Sequence, residues 1–331
     1  MGRYIVRRLL QAVVILFALS VAVFILLRVA PGANPALVRC GLNCPKERLA
    51  ALEEEMGLNG PLFPISLSAD ATPVTFHRDS QYGNWAQSLF DGSLGKDWNN
   101  NPVGAELQRR LPVTLELLII TTLLTVLVGV PFGIISAVAR NSAADYVVRF
   151  SSVLALAIPN FWLGTLVLLI PQDQWGYAPP ITTAVSFFDS PWDNLRQYVP
   201  PAAVLAAVSA ASIMRLTRSS MLEVMRQDYI RTARSKGLRE QRIIGRHAMK
   251  NALIPVATVL GLQVAGLFGG AIIVESVFNL PGVGIYTLSS LLQKQYQVAQ
   301  TLTLYIGAIV VLLNLFVDVV YAWLDPRIRY S

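Results

Sequence analysis

Residues 9–29 read LLQAVVILFALSVAVFILLRV, an apolar run directly behind the basic residues Arg3, Arg7 and Arg8. A helix needs about 20 apolar residues to cross the roughly 30 Å hydrocarbon core of a bilayer, and this run supplies them. A secretory leader shares the basic start, but its apolar core is usually only about 7–15 residues long. The segment therefore reads as an uncleaved first transmembrane helix, ended by Pro31 and Gly32.

Outward from that span, five further apolar runs lie at about 112–139, 146–170, 200–216, 252–275 and 301–324. They account for a composition that is 54% hydrophobic and 14% charged, against about 25% charged in an ordinary soluble domain. The expected class is an all-α polytopic membrane protein with six transmembrane helices. The fourth run is the weakest, because Arg215 and Arg218 cap a short Ala/Val stretch. Gly129, Pro131 and Pro159 fall inside runs; such breakers are tolerated where neighbouring helices or a polar cavity satisfy the freed backbone groups.

The chain divides accordingly. Residues 1–30 hold the N-terminus and first helix, 31–111 an insert, 112–324 a five-helix core with a polar segment at 216–250, and 325–331 a tail. The insert is rich in polar and aromatic residues and has no run of span length, so it reads as a soluble module between the first two helices. Within it, Pro45 to Gly57 reads as a short helix that Gly57 stops. Cys40 and Cys44 are the only cysteines, and no His or second Cys pair lies near enough in sequence for a four-ligand zinc site. Two readings stand: a local disulfide in an oxidising compartment, or two unpaired thiols.

Lys and Arg in the loops set the orientation. With the N-terminus inside, the inner segments carry 3, 2, 10 and 2 of them, 17 of the 27 in the chain. The outer loop 171–200 has only Arg196 and the outer segment 276–300 only Lys294. The insert carries 7, beside 9 Asp and Glu, but long segments translocate largely regardless of charge. Both termini are expected in the cytoplasm and the insert outside. The net charge of +7 is thereby placed for a membrane surface rather than for nucleic acid.

Ionisable groups inside spans are functional hypotheses by default. Glu116, Glu275 and Asp318 each fall near one end of a run, which suits a paired or solvated end-of-helix carboxylate. Gln263 and Asn314 lie deeper. They either line a polar path or make helix–helix hydrogen bonds, which average about 0.6 kcal/mol. Gly261, Gly266, Gly269 and Gly270 permit close helix approach or a flexible gate.

The polar segment between the fourth and fifth runs reads MRQDYIRTARSKGL over residues 225–238. Asp228 is suited to an N-cap, Arg234 and Lys236 to a last turn, and Gly237 to a left-handed residue just beyond. The result is a helix of about two turns, too short to persist alone in water. Tyr229 and Ala233 share a face, with Ile230 beside them. Such a helix either docks into a groove on a partner or meets anionic lipid headgroups, which attract each nearby cation by about 1 kcal/mol.

The stretch Asp228-Tyr229-Ile230-Arg231-Thr232-Ala233-Arg234-Ser235-Lys236-Gly237-Leu238, continued by His247-Ala248-Met249-Lys250-Asn251-Ala252-Leu253-Ile254-Pro255, closely resembles the cytoplasmic motif of binding-protein-dependent ABC importer permeases, dipeptide/oligopeptide branch. Residues 111–117, 158–164, 277–284 and 324–329 each resemble that branch as well. The resemblance implies a type I ABC importer permease fold, in a bacterial inner membrane, with the segment as a coupling helix that enters a cleft of an ATPase subunit. Carried over residue by residue, the coupling set is Asp228, Tyr229, Ile230, Arg231, Ala233, Lys236 and Gly237. Tyr229, Ile230 and Ala233 form its docking face and Gly237 the turn that follows. The wider superfamily has Glu-Ala-Ala where this chain has Arg231-Thr232-Ala233, and Pro31 to Pro35 also departs from the branch's usual Pro-Gly-Asp-Pro.

The implied partners are a second permease subunit in a heterodimer, two ATPase subunits, an extracytoplasmic substrate-binding protein and membrane lipid. No cofactor is implied, and the subunit itself is expected to be non-catalytic. No phosphate-binding loop is present: Gly95-Lys96 is followed by Asp97, not by Ser or Thr. Relatives of this branch also import nickel or oligosaccharides. A secondary transporter is the alternative of another class, but neither paired repeats nor a mid-span acid or His is evident; His77 and His247 both lie in polar segments.

Overall fold

The computed structural model describes residues 2–29, 34–41, 43–67, 74–77, 79–176 and 183–324. The expected helix stop at Pro31-Gly32 and the 325–331 tail lie outside them, as does the side chain of Asp318. In chain order the elements are α1 (Gly2–Val29), α2 (Pro35–Cys40), α3 (Lys46–Glu55), β1 (Ile65–Leu67), β2 (Val74–Phe76), α4 (Gln81–Phe90) and α5 (Val103–Val138). Then come α6 (Ala143–Ala157), α7 (Asn160–Trp175), α8 (Pro191–Val224), α9 (Asp228–Ser235) and α10 (Glu240–Arg242). A π-helical turn (Ile243–Ala248), α11 (Met249–Val277), α12 (Val283–Leu292) and α13 (Tyr296–Leu324) complete the chain. The two strands make one antiparallel ribbon, with Ile65 opposite Phe76.

Among the described residues five helices are long and apolar enough to cross a membrane, and a bent pair makes a sixth when taken as one span. That pair corrects the expected third run at 146–170. It is broken into α6 and α7, which meet at 103°. Pro159 has no N–H to donate and disfavours helical backbone at the residue before it. Ile158 is accordingly extended (φ −86°, ψ 124°), and Pro159 becomes the N-cap of α7. Elsewhere the helices outrun the apolar stretches: α5 begins at Val103 and α8 covers Pro191–Val224. Once a span is helical, each further residue adds a hydrogen bond without a new nucleation cost.

The chain forms two compact units. In the first, which contains Pro112–Ile285, α8 is the central strut and packs on α6, α7 and α11. Gly129 and Gly133 lie one turn apart on α5. A Cβ on either would overlap Ile213 or Thr217 of α8, so their lack of side chains lets the two backbones approach closely. Gly270 of α11 likewise leaves room for Leu205.

The second unit, Val6–Leu111 with Tyr286–Ile309, fastens most of the insert to α1 and to the start of α13. Phe24, Phe63, Tyr82 and Trp85 form a ring cluster with neighbouring centroids 5.3–5.7 Å apart. The polar edges of these rings are also used: Tyr82 shares a 2.7 Å hydrogen bond with Ser20, and Trp85 donates to Thr301 at 3.0 Å. Cys40 and Cys44 are joined by a disulfide, their Cα atoms 5.4 Å apart.

Candidate functional site

The short helix expected between the fourth and fifth spans is α9. Its C-terminal end is closed by two backbone bonds, Gly237 N–H to the Arg234 carbonyl at 2.9 Å and Leu238 N–H to the Ala233 carbonyl at 3.3 Å. This is the Schellman arrangement, which needs a left-handed residue at its centre; Gly237 provides it with φ +74°. At the other end, the N-cap is Gln227, extended and without a side-chain cap bond. Asp228 is thus not the cap but the first helical residue, its carboxylate exposed and 3.4 Å from Arg231. There its charge still favours the helix dipole.

The expected docking face needs correction. Ile230 and Ala233 point into this chain's own core, with exposures of 0% and 8%. They pack among Ala137, Met221, Ile243, Ala248 and Ala252, with Leu238 against the edge. The π-helical turn builds half of this seat. In an α-helix residues five apart diverge by roughly 140°, whereas i→i+5 bonding stacks them; Ile243 and Ala248 are five apart and both fully buried. Burial of Ile230 and Ala233 leaves Tyr229, Arg231, Thr232, Arg234, Ser235 and Lys236 on the exposed side.

That outward face is ordered and cationic. The Tyr229 hydroxyl accepts from Asn251 Nδ2 at 2.8 Å. Arg234 makes a forked pair with Glu240, at 2.7 and 3.2 Å, and this hydrogen-bonded carboxylate raises the guanidinium pKa above its ordinary value. Lys236 remains exposed.

A second polar knot lies where α5, α6 and α8 meet. Asp145 is fully buried and receives Arg218 Nε at 2.8 Å, Arg218 Nη2 at 2.9 Å, the Ser136 hydroxyl at 2.6 Å and the Asn141 N–H at 3.0 Å. Sequence reading treats Arg218 only as the end of a weak span and passes over Asp145. The one available signal is an arginine interrupting apolar sequence, since a buried charge needs a partner.

Two of the three carboxylates expected at helix ends, Glu275 and Glu116, are hydrogen-bonded. Glu275 is buried, accepts from the Thr114 hydroxyl at 2.6 Å and from Ile285 N–H at 2.9 Å, and Thr114 in turn accepts from Val283 N–H at 2.9 Å. A Cβ on Gly282 would overlap the Glu275 carboxylate, which gives the Leu280-Pro281-Gly282-Val283-Gly284 stretch its composition. Glu116 accepts from Asn194 at 2.7 Å.

Of the two deeper polar residues, Gln263 lines a cavity of about 280 Å³ and Asn314 does not. The cavity lies between α7, α8 and α11 and also presents Asn160, Ser209 and Ser212; none of its lining residues is charged. Gln263 Oε1 and Asn160 Oδ1 are buried without a hydrogen-bond partner. Asn160 is the first residue after the α6–α7 break, so the break itself brings it to the cavity wall. Gly266 adds open space there, since a Cβ on it would meet nothing within 4 Å.

Residues 129–330 match the family described as binding-protein-dependent transport system inner membrane component. Residues 1–118 match the description of the N-terminal part of that membrane component. The chain is 36% identical to the dipeptide transport system permease protein DppB of Alkalihalophilus pseudofirmus, over 99% of each chain. It is 34% identical to the oligopeptide transport system permease protein AppB of Bacillus subtilis, over the whole of both. A putative peptide permease of Brucella ovis is 37% identical, also over the full length of both.

Proposed function

Because the chain belongs to the family of binding-protein-dependent transport system inner membrane components, we propose that it forms half of the translocation path of an ATP-driven importer for di- and oligopeptides. The observation that carries the substrate class is full-length likeness to permeases named for dipeptides and oligopeptides. The path belongs to a pair of permease subunits, taken here as a heterodimer. A substrate-binding protein delivers peptide from outside, and two ATPase subunits supply the energy from within. The Lys and Arg distribution supports cytoplasmic termini.

In this reading α9 is the coupling helix, and its two faces divide the work. Ile230 and Ala233 clamp it to the permease core, so that it moves with α8 and α11 rather than independently. Tyr229, Arg231, Thr232, Ser235 and Lys236 face the ATPase. Rigid seating matters because force passes through a helix of only 8 residues, which needs packing to exist at all. The cavity at Gln263 is the segment of the path that this subunit contributes.

The test is uptake of a labelled tripeptide by proteoliposomes containing both permeases and both ATPases. Peptide should accumulate only with binding protein outside and ATP inside, and the permease alone should hydrolyse no nucleotide. Accumulation without ATP, or hydrolysis by the isolated chain, would overturn the reading.

A further inference from the structure

The second unit contains a cavity of about 300 Å³ beside the C-terminal end of α1. Arg28 lines it, half-buried, with its guanidinium 5.4 Å from the Phe24 ring centroid and no ion pair among the described residues. Lys96 lines it too and has no side-chain partner among those residues. The carboxylates of the wall are already engaged. Glu55 pairs with Arg39 at 3.2 Å, and Asp97 accepts from the backbone of Asn99 and Asn101 and from Asn101 Nδ2. The donors to Asp97 are all neutral, so the wall carries three cations, Arg28, Arg39 and Lys96, against two carboxylates, an excess of one positive charge. A partly desolvated charge of this kind calls for a counter-charge.

The depth of the cavity indicates where that counter-charge comes from. Arg28 ends a span of 23 residues, Val6–Arg28, and Tyr296, also in the wall, begins another at Tyr296–Val317. Both ends of span place the cavity at the membrane boundary, where Trp and Tyr side chains also concentrate; Trp98 is the second aromatic of the wall. Ile25, one turn before Arg28, and Phe17 and Val14 farther along the same face of α1 are exposed, so an apolar surface for acyl chains leads up α1 to the basic cavity. That surface suits a ligand that carries acyl chains rather than a free anion.

We propose that this cavity holds the phosphodiester of an anionic phospholipid, with Arg28 and Lys96 as its charged partners and the exposed face of α1 beneath its acyl chains. The proposal is independent of the transported substrate. The full chain, purified with its partner subunits, is titrated with phosphatidylglycerol or phosphatidylcholine and bound lipid is counted by native mass spectrometry. Phosphatidylglycerol should be retained in preference. Arg28→Gln or Lys96→Gln should each weaken it about fivefold, and both together about thirtyfold, from the usual attraction per cation at a membrane surface. Arg28→Lys should preserve most of the binding. Lys96 is exposed, so its variant reads the site even if Arg28→Gln fails to assemble. Unchanged lipid retention in both Gln variants overturns the proposal. Displacement of the lipid by micromolar inorganic phosphate also overturns it, in favour of a free-anion site. So does a loss of binding-protein affinity with lipid retention intact, which would assign the cations to a protein carboxylate.

Discussion

Arg218 grips the buried carboxylate of Asp145 with two prongs, at 2.8 and 2.9 Å. Asp145 opens α6 and Arg218 lies in the last part of α8, three residues before Met221 of the α9 seat. The pair ties α6 to the helix on which α9 rests. Removing one partner leaves the other charge buried and uncompensated, which typically destabilises by about 3–5 kcal/mol. Arg218→Met should lower the free energy of unfolding in mild detergent by an amount of that order, seen as a lower unfolding midpoint. Asp145→Asn added to it should recover part of the loss, because it removes the buried charge; the amide oxygen can still accept from Asn141 N–H while the NH2 donates to the Ser136 hydroxyl. Equal midpoints for wild type and Arg218→Met would show that the pair clamps nothing.

The Glu275 knot predicts a different pattern. Thr114 both donates to Glu275 and accepts from Val283 N–H, so Thr114→Val removes two buried hydrogen bonds. A loss of about 1 kcal/mol per bond is expected. Gly282→Ala should be at least as damaging, since its Cβ has no room beside the carboxylate. Thermal unfolding of the two variants, followed by thiol-independent light scattering, measures both effects. A Gly282→Ala protein as stable as wild type would remove the carboxylate from its place against this turn.

The spans were legible because lipid imposes length and polarity together, and runs such as 9–29 and 301–324 satisfy both. The break in the third run was not. Pro131 and Pro159 both sit in apolar sequence, yet α5 continues through Pro131 while the chain turns by 103° at Pro159. The difference is tertiary: Gly164, past the break, packs against Val277, Phe278 and Val204, contacts from distant parts of the chain that no local pattern contains. The α9 face was legible for a similar reason and misassigned for a similar reason. Periodicity identifies Ile230 and Ala233 as an apolar stripe, but it does not say whether the stripe meets another protein or the chain's own Met221 and Ile243. The Asn160–Gln263 cavity joins residues about one hundred positions apart and depends on the same break.

In the proposed coupling role the two faces of α9 do different things, so their variants should separate. Ile230→Ala empties a fully buried site, for which about 2–5 kcal/mol is usual. ATPase subunits should still associate, but hydrolysis should no longer drive uptake, because the seat is loose. Arg231→Glu with Lys236→Glu leaves the seat untouched and reverses two exposed charges. Stability should fall only slightly, by about 1 kcal/mol or less for the exposed Asp228 pair and the helix dipole, and co-purification of the ATPase should be sharply reduced. Association and uptake measured side by side decide the matter. If Ile230→Ala abolished association while the charge reversals did not, the docking face would have to include the buried side after all.

The uncharged cavity yields the last prediction. Asn160 and Gln263 each hold a buried oxygen without a partner, and a group in that state costs about 1–3 kcal/mol relative to a bonded one. A guest that supplies N–H groups, as a peptide main chain does, relieves that cost on arrival, and the side-chain amides need only rotate about soft terminal torsions to meet it. Asn160→Leu and Gln263→Leu should therefore slow peptide uptake while leaving binding-protein-stimulated ATP hydrolysis near the wild-type rate, since neither residue touches the α9 seat. Cysteine at either position should react with a small water-soluble maleimide during turnover, and excess peptide should protect it. Unchanged uptake in both leucine variants, or labelling that peptide does not slow, would take these residues off the path and leave the cavity to water.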